Sequence, residues 1–175
     1  MRAVGIDLAG KATNPTGIAL ANERMEARKA FSDAEILSVV EEFNPDIIAI
    51  DAPLSLPKRG WWRSSDEQLL KEGFKPLPPA FPAMRLLVMR AQRLVAQLRK
   101  KWKVIEVFPR ASEKILGLKK ADVAAMLTRK RLSADEYDAV LAALTAKLHI
   151  KGWTRTVGSG GDDLIVLPLH VELKL

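Results

Sequence analysis

Apolar residues recur along this chain with two different spacings. Consecutive or alternating apolar residues, which favour β-strands, occupy positions 2–11, 16–20, 24–31, 46–53, 103–109 and 164–168. Apolar residues at intervals of three and four, which favour amphipathic helices, follow Ser32 and Ser133 and dominate the segment that begins at Pro82. Each serine is followed three residues later by a glutamate, the capping-box pattern of a helix N-terminus. The pattern therefore predicts strands and helices that alternate along most of the chain.

The order of these elements indicates the fold class. The first three predicted strands follow one another closely, and the charged segment 24–31 suits a sheet edge. The later strands are separated by helices, which predicts parallel crossovers, and the continuous apolar run at 46–53 is typical of a central strand. Further helical segments are expected over 65–71, 111–118 and 119–131, and a glycine-rich loop over 158–163. We expect an α/β protein with a mixed sheet and helices on both faces, in a single domain spanning 1–175.

Regular patterning is lost over about 54–82, an insertion rich in proline, aromatic and basic residues. Its aromatic residues argue against disorder, and long insertions in compact domains are usually functional. Arg59, Trp61, Trp62 and Arg63 combine cations with stacking surfaces, a composition that suits unpaired bases and their phosphates. The alternative is that the tryptophans form a small satellite core beneath the loop.

Carboxylates recur near the ends of the predicted strands. Asp7, Asp51 and Glu106 each lie at or near the end of an apolar run, and Asp138 lies in the first turns of the helix that follows Ser133. In open α/β sheets such strand ends meet at one edge, where clustered carboxylates repel one another unless a cation compensates them. Oxygen ligands of this kind suit Mg²⁺ or Mn²⁺. Two simpler explanations remain open, because Asp7 could hydrogen-bond the turn around Gly10 and Asp138 could favour its helix N-terminus.

Charge and composition narrow the class of partner. The formal net charge is +7 at pH 7, with a pI near 9.8, which favours polyanions such as DNA or RNA. No apolar run approaches the roughly 18 residues of a membrane helix, and the sequence contains no cysteine. We expect a cytoplasmic protein that does not enter membranes.

The motifs together resemble a known family. Gly5-Ile-Asp7, Ile48-Ala-Ile-Asp51-Ala-Pro-Leu54, Glu106-Val-Phe-Pro109, Asp138-Ala139 and Asp163-Leu-Ile-Val-Leu-Pro168 are similar, in this order, to a family of uncharacterised proteins predicted to be RNase H-like nucleases. The resemblance implies the ribonuclease H-like fold, with a five-stranded sheet in the order 3-2-1-4-5. It also implies metal ligation by Asp7, Asp51 and Asp138, with Glu106 as an accessory ligand. The first predicted helix lacks a clear acidic residue for the site, so the chain resembles the resolvase-like branch.

The leading hypothesis that follows is phosphodiester hydrolysis with two divalent ions about 4 Å apart. Asp7 would bridge the ions, Asp51 and Asp138 would each complete one, and Lys11 would approach the phosphate. Asp135, one turn before Asp138, is an alternative ligand. The rivals are phosphoryl transfer or ATP hydrolysis, as in actin-like and sugar kinases with the same fold, for which a homodimer could supply the second domain, and a non-catalytic nucleic-acid-binding module.

Overall fold

The computed structural model describes residues 1–127 and 131–171. The described residues form one mixed sheet of seven strands, which are β1 (Ala3–Asp7), β2 (Thr16–Ala21), β3 (Met25–Ala30), β4 (Ile47–Asp51), β5 (Lys103–Val107), β6 (Thr154–Gly160) and β7 (Asp163–Pro168). Their order across the sheet is β3-β2-β1-β4-β5-β7-β6. β1, β4, β5 and β7 run parallel to their neighbours in this series, whereas β2, β3 and β6 pair antiparallel. The α/β class and the order 3-2-1-4-5 of the first five strands are confirmed.

The sheet has seven strands rather than the expected five. Five of the seven residues of β6 are Thr, Gly or Ser, and β6 is the strand at the sheet edge. Part of it falls in the segment predicted to be a glycine-rich loop, where a register shift between Gly158 and Gly160 interrupts the pairing with β7. Both glycines have positive φ angles, of 126° and 111°, which is backbone geometry that side chains disfavour. A bulged edge strand of this composition carries little of the apolar signal on which strand prediction depends.

The helices are α1 (Asp33–Phe43), α2 (Ser64–Lys71), α3 (Pro82–Leu98), α4 (Pro109–Leu116), α5 (Lys120–Ala125) and α6 (Ala134–Ile150). Both predicted capping boxes are present, at Ser32 with Glu35 and at Ser133 with Glu136. The helix expected over 119–131 is shorter than predicted, and 128–130 lie outside the described residues. None of the described helices is both long enough and apolar enough to span a bilayer.

Two cores cover the two faces of the sheet. On one face α1 and α3 pack against the large aliphatic residues of β1, β2 and β4. On the other face lies α6, whose contact surface is built largely from alanines: Ala139, Ala142, Ala143 and Ala146. A smaller cluster joins α2 from the insertion to β6 and β7 through Leu69, Val157, Ile165 and Leu167. Alternate residues of each strand therefore face different helices, which fixes the direction of every strand-borne side chain at the site.

Candidate active site

Asp7 and Asp51 end two neighbouring parallel strands. They are direct partners in the register of β1 and β4, and adjacent strands lie about 4.8 Å apart. Asp7 lies on the same face of the sheet as Gly5, and Asp51 on the same face as Ala49, because side chains alternate along a strand. Gly5 and Ala49 both face α6. The two carboxylates are thus held side by side at the carboxyl end of the sheet, on the α6 face.

Two strand glycines allow α6 to rest directly on the sheet at this end. A Cβ at Gly5 would lie 2.0 Å from the carbonyl oxygen of Ala139, and a Cβ at Gly17 would lie 2.0 Å from that of Asp135. Gly17 is the register partner of Asp7 on β2. The first turns of α6 therefore cross the strand ends at backbone contact, which brings Asp138 and Asp135 toward Asp7.

The carboxylates raise one another's pKa. Burial, followed by repulsion from Asp138 and then Asp135, raises the pKa of Asp7 to about 7. Burial, with repulsion from Asp7, Asp138 and Glu106, holds the pKa of Asp51 well above its usual value. Burial also raises the pKa of Asp138. Three carboxylic acids that disfavour ionisation in one region form a site that a cation would stabilise.

Asp7 and Asp51 line a cleft of about 250 Å³, which we call the carboxylate cleft. Its walls include Lys75 and Leu77 from the insertion and Leu87 from α3, together with Glu106, Val107, Phe108 and Arg110. Within residues 1–127 and 131–171, no group of three or more acidic or histidine side chains is arranged as a ready-made metal site. Asp138 lies instead in a neighbouring cleft. The acids converge on the same end of the sheet, with two of them adjacent and the third approaching from the helix.

The loop that follows Asp7 is held through its backbone. The amide of Ala9 donates to Thr16 Oγ1 at 3.1 Å, and its carbonyl oxygen accepts from Arg90 at 2.7 Å. Arg90 is only 3% exposed and also binds Asp33 and the carbonyl oxygen of Phe31. Arg90 therefore clamps α3 and α1 to the turn beside Asp7.

Glu106 occupies the opposite face of the sheet from Asp7 and Asp51. It pairs in register with Ile50, whose side chain belongs to the core beneath α1 and α3. Its two oxygens accept hydrogen bonds from Arg63 at 2.6 and 2.8 Å, and the amide of Leu54 donates to Oε2 at 2.9 Å. This differs from the expectation of a metal ligand beside Asp51, because Glu106 borders the carboxylate cleft from the other face of the sheet and Arg63 binds its carboxylate.

Arg63 is buried rather than presented to a substrate. It is 4% exposed and forms a buried network with Glu106 and Asp66. Burial alone would lower the pKa of Arg63, but its hydrogen bonds to Glu106 and Asp66 raise it. Burial raises the pKa of Glu106 to about 7, against the opposing effect of Arg63. The expected role of Arg63 in substrate binding conflicts with this placement, since all three of its guanidinium nitrogens donate to buried carboxylates.

The other predicted substrate contacts lie at the surface. Trp61 is 53% exposed and packs against Phe81 with ring centroids 6.3 Å apart. Arg59 and Trp62 line a separate cleft of about 530 Å³ beside the turn between β6 and β7. Lys11 is exposed in the turn between β1 and β2. Thus Trp61 does not form a buried satellite core, and these residues surround the carboxylate cleft without lining it.

Arg110 lines the candidate site, although the sequence did not indicate it. It lies in the first turn of α4, directly after β5, and lines both the carboxylate cleft and the cleft that contains Asp138. Its positive charge opposes the raised pKa of Asp7, Asp51 and Asp138. In the sequence Arg110 is only a cation three residues beyond the end of β5, and its place in the site depends on which strand ends meet.

Comparisons with known proteins identify a structure with a similar fold and a matching sequence family. RuvC of T. thermophilus, solved in complex with a Holliday junction substrate, superposes with a TM-score of 0.54 and 18% sequence identity, covering 87% of this chain and 96% of the RuvC chain. At that identity the similarity shows the fold alone. No curated protein is significantly similar in sequence. The ribonuclease H-like fold implied by the sequence motifs is confirmed. A family model described as "Protein of unknown function (DUF429)" matches residues 5–160, and the chain therefore belongs to that family.

Proposed function

We propose that this protein is a nuclease that hydrolyses phosphodiester bonds of nucleic acid with the help of divalent cations. The observation that carries the proposal is the pairing of Asp7 with Asp51 in register at the carboxyl ends of β1 and β4, with Asp138 brought toward them by α6. Repulsion between neighbouring carboxylates destabilises the folded state, and a bound cation would compensate it. The fold shared with RuvC supports the same class of substrate.

The donor set fits Mg²⁺ or Mn²⁺. Both ions prefer carboxylate oxygens, and Mg²⁺ is commonly held by one or two carboxylates together with water and substrate phosphate. Asp7 and Asp51 would provide those two carboxylates, and Asp138 would add a third from the adjoining cleft. When bound, the ions would lower the pKa of water and stabilise charge on the leaving oxygen.

The residues of the candidate site would then have different roles. Asp7 and Asp51 would orient the reacting groups at the centre of the cleft. Glu106 would act from the other face as a positioning residue, because it holds the amide of Leu54 and so fixes the segment that follows Asp51. Lys11, Arg59, Trp61 and Trp62 would contact the nucleic acid around the cleft.

The reaction consumes one water for each bond that is cut. The water oxygen forms a bond to phosphorus, the phosphorus–oxygen ester bond breaks, and the leaving oxygen takes up a proton while the water loses one. The products are a phosphate monoester and an alcohol. The protein's contribution is to position and to compensate charge, which is where most of the catalysis in phosphoryl chemistry arises.

Cleavage of labelled DNA and RNA with Mg²⁺, with Mn²⁺ and with a chelator tests this function. We expect cleavage by the wild type that requires the ion, and a fall of more than roughly a hundredfold in Asp7→Asn. Glu42→Gln, which removes an exposed acid on α1, is the matched control and should cleave normally. Unchanged cleavage by a clean preparation of Asp7→Asn would refute the mechanism. ATP hydrolysis without nucleic acid cleavage would favour a phosphoryl-transfer enzyme, and tight metal-independent binding without turnover would favour a binding module.

A further inference from the structure

A second cleft adjoins the carboxylate cleft and is larger. It has a volume of about 590 Å³, within the range typical of ligand pockets, whereas the carboxylate cleft measures about 250 Å³. Asp138 lies in its wall, together with Arg110, Lys120, Arg131 and Tyr137. We call it the basic cleft. The carboxylate cleft is smaller than typical ligand pockets, so a nucleic-acid strand whose phosphate lies there needs adjoining space.

Arg110 joins the two clefts. It lines both of them, and its charge acts on Asp7, Asp51 and Asp138 alike. Among the described residues it nevertheless forms no ion pair with any carboxylate. By contrast, Arg63 and Arg90 are buried in networks that use their donors. Arg110 is therefore an exposed guanidinium beside the acids with its donors available to a ligand.

The charges of the basic cleft favour an anion. Arg110, Lys120 and Arg131 outnumber its two acids, Asp138 and Glu113, and Glu113 already accepts a hydrogen bond from the hydroxyl of Tyr137. The N-terminus of α6 also borders the cleft, but its capping box uses the Ser133 and Glu136 amides internally. The side-chain cations are consequently the groups that a phosphate would meet.

We propose that Arg110 contacts the phosphate that is cut and that the basic cleft binds the nucleotide next to it on the same strand. This proposal rests on the proposed nuclease function and adds to it the path of the substrate. The nucleic-acid strand would pass from the carboxylate cleft over Arg110 to Lys120 and Arg131. A guanidinium offers two parallel donors to a phosphate. Placed at the junction, it compensates charge on the phosphate oxygens while the ester bond breaks.

Binding of a short labelled single-stranded oligonucleotide, measured by fluorescence anisotropy in chelator over a series of salt concentrations, tests the cleft without requiring turnover. We expect Arg110→Gln to weaken binding by roughly tenfold and to reduce the slope of log affinity against log salt by about 0.7, the value for one phosphate contact on a single strand. Arg24→Gln removes the same charge from an exposed turn at the opposite end of the sheet and should bind like the wild type. Lys120→Gln should weaken binding in the same direction, and it replaces Arg110→Gln as the test if that variant melts early.

Cleavage measured beside binding separates the two proposals. If the wild type binds but never cleaves, while Arg110→Gln loses affinity, the nuclease function fails and the binding role of the basic cleft stands. If the wild type cleaves and Arg110→Gln binds and cleaves like Arg24→Gln, the assignment of Arg110 and the basic cleft is overturned. Absence of oligonucleotide binding by the wild type would overturn it as well.

Discussion

At the scale of one residue, Asp7 shows how an acid of the candidate site opposes the stability of the fold. Its carboxyl group is partly buried at a strand end beside Asp51 and below Asp138, so the folded chain prefers it protonated up to a pKa of about 7. An unfolded chain would release that proton near pH 3.8. Between these values the unfolded state binds fewer protons than the folded state, and stability therefore falls as the pH rises.

Asp7→Asn should remove this penalty. In the absence of divalent ions we expect the variant to melt several degrees above the wild type at pH 8, an effect on the order of 2 kcal/mol. The difference should shrink as the pH falls from about 7 toward 3.8, where both states of the wild type become protonated. Thermal melts across this pH range provide the measurement, and equal melting temperatures at pH 8 would contradict it.

Manganese should reverse the order of stability. A ligand that binds only the folded state stabilises it in proportion to the logarithm of its concentration, and Asp7 would be one of its ligands. We expect Mn²⁺ to raise the melting temperature of the wild type in a concentration-dependent way, with little effect on Asp7→Asn. A shift of the same size in both proteins would place the ion elsewhere.

The sequence located some of these residues and could not locate others. Asp7 and Asp51 were found because an acid that ends an apolar strand is conspicuous, and parallel strands share one edge. Glu106 fits the same description, yet its direction depends on the register between β4 and β5, which one sequence does not contain. Arg110 could not be predicted, because its position depends on where α4 begins relative to the two clefts.

At the scale of elements, the contact between α6 and the sheet determines where Asp138 lies. The alanine-rich face of α6 meets the glycines of β1 and β2. Small residues on both sides permit backbone contact. This contact fixes the distance between the first turns of α6 and the strand ends. This contact could not be predicted from the sequence, because it depends on which strand residue meets which turn of the helix.

Gly5→Ala should displace α6. The new methyl group would lie 2.0 Å from the carbonyl oxygen of Ala139 and 2.3 Å from the amide nitrogen of Ala143, and backbone atoms cannot yield as a side chain would. We expect a loss of about 2–4 kcal/mol in the free energy of unfolding, together with weaker Mn²⁺ binding.

Gly10→Ala is the matched control for this prediction. A Cβ there would meet its nearest atom at 3.5 Å, an ordinary contact with Leu87, so stability and metal affinity should change little. Denaturant unfolding and Mn²⁺ titration of the two variants give the comparison. Equal effects in both would show that the close approach of α6 is not what the glycine provides.

At the scale of the whole molecule, the insertion packs against β6 and β7 at one edge of the sheet. Asp163, at the start of β7, accepts hydrogen bonds from the amides of Ser64 and Ser65 in the first turn of α2. Gln68 on α2 accepts from the amide of Gly158 on β6. The irregular insertion and the weakly apolar edge strand are thus ordered by each other, which is why local patterns predicted neither in full.

The buried network of Arg63, Glu106 and Asp66 fastens the insertion to the central strands, and its loss should be felt through the whole fold. Arg63→Met would leave two buried carboxylates without a cation, which we expect to cost about 3–5 kcal/mol in the free energy of unfolding at neutral pH. The loss should diminish in acid, because burial raises the pKa of Glu106 and its protonation removes uncompensated charge.

The triple variant Arg63→Met, Asp66→Asn, Glu106→Gln separates charge from packing. It contains no buried ion, so it should recover much of the stability lost in Arg63→Met and should lose the pH dependence. Arg155→Met breaks the surface pair with Glu72 that also links β6 to the end of α2, and should cost less than about 1 kcal/mol. Chemical denaturation from acid to neutral pH measures all three. If Arg63→Met were no less stable than Arg155→Met at neutral pH, the network would not be what couples the insertion to the sheet, and the fixed position of the segment after Asp51 would need another cause.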